Sequence, residues 1–118
     1  MTSVHIVTDS SCDLPDDLIT AMNIKIVPLK IRFGDNEFVD RVELTTDQFW
    51  EKCQISDELP STAAPSPGAF VEEFQHAARE GATGVVVITI SGELSATIEA
   101  AQQAAELVKD EIEVRVID

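Results

Sequence analysis

Apolar positions along the chain fall into short blocks divided by turn-forming residues, and the spacing inside each block predicts its element. Val4 to Thr8 is a β-rich run ending in Thr8-Asp9-Ser10-Ser11-Cys12-Asp13, which is dense in turn and cap formers. A helix is expected next through Leu14, Leu18, Ile19 and Met22, with Asp13 as N-cap, Pro15 in its first turn and Asn23 closing it. Ile24 and Ile26 alternate with Lys25, and then Leu29, Ile31 and Phe33 alternate with Lys30 and Arg32. The phase slips at Val27-Pro28, so Pro28 marks a bulge or a sheet edge. Gly34-Asp35-Asn36 reads as the turn of a hairpin near Ile31 to Val39.

Thr45 or Thr46 caps a second helix whose apolar stripe is Phe49, Trp50 and Cys53, and the two aromatics are assigned to the core. From Ile55 to Pro67 the chain carries Pro60, Pro65 and Pro67 without periodicity, which predicts a long loop of the kind that often carries function. Ser66-Pro67 is a helix start, Phe70, Phe74 and Ala77 follow on one face, and Gly81 ends the element. Val85 to Ile90 lacks polar alternation, as expected of a central parallel strand covered on both faces. After the turn Ser91-Gly92-Glu93, helical spacing links Leu94, Ile98, Ala101, Ala105 and Val108, and Val114 to Ile117 is a last strand. This order predicts an α/β fold: an open, mostly parallel sheet flanked by helices, with right-handed crossovers and the hairpin. A length of 118 residues suits one domain, and its end directly after a strand leads us to expect a missing remainder.

Charge changes the picture more than composition does. Twenty-two acids against eight Lys and Arg give a formal net charge of -14, which opposes binding to nucleic acid and to anionic membrane surfaces. The same field opposes an anionic ligand unless hydroxyls and backbone N–H groups supply local donors. Cys12 and Cys53 stand in unrelated contexts with no export signal ahead of them, which predicts a reducing, cytoplasmic setting without a disulfide. His5 and His76 are isolated, so no metal site and no cofactor is assigned. No apolar run approaches the roughly 20 residues of a membrane span, so stable membrane insertion is not expected.

In a parallel sheet the strand carboxyl ends share one rim, where ligands settle. Hydroxyls collect at such positions: Thr8, Ser10 and Ser11 after the first strand, Ser61 and Thr62 in the long loop, and Ser91, Ser95 and Thr97 after Val85 to Ile90. They either cap helices or grip a carboxylate or phosphate, and the two roles are compatible. Asp9, directly after a strand, is either a phosphoryl-accepting nucleophile or an acceptor that fixes the loop presenting Ser10 and Ser11. The first role would make the protein an Asp9-dependent phosphohydrolase or phosphotransferase. Ser91 to Ser95 does not match a nucleophile elbow and neither His is placed as a base, so no catalytic residue is assigned.

Five ordered segments are more specific: TDSSCDLP from Thr8, IVPLKIRFGDNEFVD from Ile26, LPSTAAPSPGAF from Leu59, ITISGELSATIEAAQQAAE from Ile88, and VRVID at the end. Together they resemble the amino-terminal part of the DegV family of bacterial fatty acid-binding proteins, over nearly the whole chain. The resemblance implies a non-enzymatic protein that cradles a long-chain fatty acid such as hexadecanoate in an apolar tunnel. It also implies presentation of the carboxylate to a partner fatty acid kinase that makes the acyl phosphate. The positions matching the family's carboxylate-binding hydroxyls are Thr62 and Ser95, with Ser10, Ser11, Ser91 and Gly92 supporting the headgroup loops. Ala63 and Ala64 stand where the family usually has Ser and Gln, Gly92 replaces a Ser, and Ala96 replaces a Gly. DegV-like chains normally continue into a carboxy-terminal region, so residues 1–118 are expected to be the amino-terminal domain with that region absent.

Overall fold

The computed structural model describes residues 3–118, in the order β1 (Val4–Asp9), α1 (Asp16–Ala21), β2 (Lys25–Val27), β3 (Lys30–Phe33), β4 (Asn36–Val39), α2 (Thr46–Ile55), β5 (Ser61–Ala63), α3 (Pro67–Arg79), β6 (Gly84–Ile88), α4 (Thr97–Leu107) and β7 (Glu113–Ile117). The strands form two sheets: a parallel one in the order β2-β1-β6-β7 and an antiparallel one in the order β4-β3-β5. The α/β architecture with a parallel sheet and flanking helices is as expected, but the hairpin belongs to a sheet of its own. Pro28 explains the separation. It has no N–H to give to a ladder, so pairing stops after Val27 and restarts at Lys30 with new partners.

In the parallel sheet Val7 lies beside Val87, and Val87 beside Val116. Val7, Val85 and Val87 point to the face where Phe70, Phe74 and Ala77 of α3 meet Ala100, Ala101 and Ala104 of α4, and this is the main core. The other face is not covered in the way the apolar run of β6 suggested, because Ile88 is 46% exposed and its neighbour Ile117 is 50% exposed. Parallel strands read as continuous apolar runs whether one helical layer or two cover them, so the run alone could not decide.

The antiparallel sheet has its own smaller cluster of Ile31, Phe33 and Leu44, backed by Phe38, Phe49 and Cys53. A two-residue turn joins β3 to β4, with Gly34 at φ 59, a conformation that favours glycine. Arg32 and Glu37 face each other across it at 2.8 Å, and that hydrogen bond holds the Glu37 carboxyl below its ordinary pKa.

Three element boundaries differ from expectation. Asp13 does not cap α1, which starts at Asp16 after an extended Pro15 (φ -64, ψ 148). The proline ring disfavours helical backbone at Leu14 before it, which leaves Asp13 outside. Asn23 does close α1, at φ 52. Leu94 is exposed in the turn before α4 rather than on its face. The predicted loop from Ile55 to Pro67 contains β5, a strand whose three residues are all exposed and which forms only by pairing with β3.

Candidate functional site

Asp9 is the last residue of β1 and is 0% exposed. Its Oδ1 accepts from the Ser11 N–H at 2.8 Å and from the Ser11 hydroxyl, while Oδ2 accepts from the Ile90 N–H at 2.7 Å. It therefore clamps the loop after β1 to the segment after β6. With both oxygens already accepting hydrogen bonds and the residue fully buried, the carboxylate is held in the interior by the loops it ties together, and the geometry favours the loop-fixing role over the nucleophile. Nearby, the Ser10 hydroxyl accepts from the Leu29 N–H at 2.9 Å, so its own proton remains free to donate.

These contacts bring three chain segments to one cavity of about 400 Å³. Its polar wall holds Ser10, Ser11 and Thr62, and its apolar wall holds Leu29, Ile31, Phe49, Trp50 and Ile90. Thr62 reaches it because β5 pairs with β3, which sets Thr62 opposite Ile31. Asp13, Asp40, Arg41 and Thr46 complete the lining. Trp50, assigned to the core from sequence, is 60% exposed and stacks edge-on against Phe49 at 5.1 Å between ring centroids. The correction follows from α2 being amphipathic over too short a span to bury two adjacent aromatics, which point in different directions on a helix.

Ser91, Gly92 and Ser95 lie between β6 and α4 and do not line that cavity. The Ser91 hydroxyl accepts from the Glu93 N–H at 3.2 Å, and the Gly92 N–H donates to Asp118 Oδ1 at 2.9 Å. The Ser95 hydroxyl lies 2.8 Å from the Thr97 hydroxyl and accepts from the Thr97 N–H at 3.2 Å. The structure thus gathers Ser10, Ser11 and Thr62 around one space and holds the Ser91 to Ser95 hydroxyls in local contacts at the start of α4. Sequence reasoning missed Arg41, and it read Leu29, Ile31, Phe49 and Trp50 as strand and helix positions without placing them on one cavity wall, because spacing within an element does not say which elements meet.

Among the described residues no helix is long and apolar enough to cross a membrane, and no three His, Cys, Asp or Glu side chains are grouped to hold a metal ion.

Comparison with known proteins extends these observations. The sequence model for uncharacterised proteins of the DegV family matches residues 3–118. A DegV domain-containing protein of Halalkalibacterium halodurans is 36% identical over 109 residues, which is 92% of this chain and 38% of that protein. A stearic acid-binding protein from Eubacterium ventriosum superposes with a TM-score of 0.89 at 29% identity, covering 100% of this chain and 41% of its own. DegV of Bacillus subtilis, a fatty acid-binding protein, gives a TM-score of 0.91 at 27% identity, again with 100% of this chain and 41% of that one covered. The chain therefore spans about two fifths of the length of these relatives.

Proposed function

We propose, from the premise that this chain belongs to the DegV family, that it binds a long-chain fatty acid and presents the carboxylate to a partner fatty acid kinase for conversion to the acyl phosphate. In this reading Thr62 donates to the carboxylate from the cavity wall and Ser95 donates from the start of α4, outside that wall, while Ser10, Ser11, Ser91 and Gly92 shape the headgroup loops and the protein supplies no catalytic residue. The observation that carries it is the cavity in which the hydroxyls of Ser10, Ser11 and Thr62 face a wall of Leu29, Ile31, Phe49, Trp50 and Ile90. One polar end and one greasy wall match the two chemistries of a fatty acid, and the volume falls in the roughly 300–1,000 Å³ range of small-molecule sites. The relatives described as binding fatty acid or stearic acid support the same reading.

Lipid extracted from native protein and identified by mass spectrometry tests it. A long-chain fatty acid is expected in the wild type and a depleted one in the Thr62→Ala, Ser95→Ala double variant. Full occupancy in that variant would reject the headgroup assignment. Acyl phosphate made by an added fatty acid kinase and ATP tests presentation.

A further inference from the structure

We infer that Arg41 is the charged headgroup contact of this cavity and that it selects lipids with an anionic head over neutral ones; the inference rests on the lipid-binding reading above. Arg41 lines the cavity together with Thr62, Ser10 and Ser11, and among the described residues it is the one cationic side chain that does so. Two carboxylates, Asp13 and Asp40, line the same space, and the chain as a whole carries a formal charge of -14. Neutral hydroxyls alone leave a desolvated carboxylate uncompensated against that background, whereas a guanidinium offsets it with charge-assisted hydrogen bonds.

The backbone points to the same residue. Arg41 sits at φ 67, the left-handed region that a side chain with a Cβ occupies at an energetic cost. Such strained residues persist where surrounding contacts over-determine them, and they concentrate at ligand clamps. Here the Arg41 N–H donates to the Leu44 carbonyl at 2.9 Å, the Glu43 N–H to the Val39 carbonyl at 2.8 Å, and the Asp40 N–H to the Leu29 carbonyl at 3.0 Å. The side chain donates one hydrogen bond to the Cys12 carbonyl at 3.3 Å, which holds it between the hairpin and the loop after β1. It forms no salt bridge among the described residues. A guanidinium has five N–H donors, so most remain available to a ligand.

A purely structural Arg41, tying two loops together, would affect every ligand alike. The test therefore compares a long-chain fatty acid with the fatty alcohol of the same length, titrated calorimetrically into the wild type, Arg41→Gly and Arg41→Lys. Glycine adopts φ 67 without a steric penalty, so Arg41→Gly keeps the fold, and circular dichroism verifies this. The wild type should prefer the acid, and Arg41→Gly should lose about tenfold or more of acid affinity with alcohol affinity unchanged, as expected for a hydrogen bond to a charged group. Arg41→Lys should restore part of the preference. An unchanged acid-to-alcohol ratio in Arg41→Gly, with the wild type still binding acid, overturns the role of Arg41 and leaves the lipid reading intact. Equal loss of acid and alcohol overturns it in favour of loop tying. A wild type that binds neither lipid sinks both.

Discussion

Asp9 is the residue on which the edge of the parallel sheet turns. Ser11 lies two positions away, so its bond to Asp9 is a local loop motif that the sequence suggests; the partner at Ile90 is 81 residues distant and has no local signal. Removing the buried carboxylate leaves the part-buried N–H groups of Ser11 and Ile90 without their acceptor, each worth about 1–2 kcal/mol. Asp9→Ala should therefore lower unfolding free energy by about 3 kcal/mol in urea denaturation, with Asp9→Asn in between. A nucleophile held in reserve would behave differently, losing turnover on phosphate esters at unchanged stability.

At the level of elements, the caps at Thr45 and Ser66 and the turn at Gly34 follow from local chemistry, whereas Asp13 fails as a cap because Pro15 keeps the backbone before α1 extended. Thr45 and Thr46 were equivalent in the sequence, and the structure selects Thr45, whose hydroxyl accepts from the Gln48 N–H while the Gln48 side chain accepts from the Thr45 N–H. Thr45→Ala should cost about 1 kcal/mol, visible as a lowered thermal midpoint. The β3–β4 pair offers a titration test. Arg32→Gln should raise the Glu37 pKa back toward its ordinary value, followed by NMR of the carboxyl carbon. Because the folded pKa is the depressed one, whatever this contact contributes is present above the unfolded value and is lost as pH falls through the folded one. The strand β5 was invisible in the sequence. Ser61, Thr62 and Ala63 are exposed and bracketed by Pro60 and Pro65, and only the free edge of β3 gives them a partner.

The whole molecule is more open than its mass requires. Its radius of gyration is 15.1 Å, against about 13.5 Å for a compact domain of this length. Its surface is 7494 Å², against about 6,300 Å² for a compact protein of this mass. Two separate clusters account for the elongation, a large one under α3 and α4 and a small one under the hairpin. Phe74→Ala should cost about 3–5 kcal/mol of global stability. Amides of β3 and β4 should exchange hydrogen faster than those of β1 and β6, since the smaller cluster holds them against local opening. Ile88 and Ile117 form an exposed apolar strip on the uncovered sheet face. Sedimentation velocity should show concentration-dependent self-association that Ile88→Lys reduces; a strict monomer at every concentration would count against it.

The order of the elements other than β5, the caps at Thr45 and Ser66, the turn at Gly34 and the core face of α3 were determined by the sequence alone, because each depends on residues within one or two turns of one another. Tertiary structure decided the split into two sheets, the strand β5, the exposure of Trp50 and the placement of Arg41 beside Thr62. Those features arise from hydrogen bonds and packing between segments far apart in the chain. Periodicity records which way a side chain leaves its own backbone, and says nothing of what it meets there.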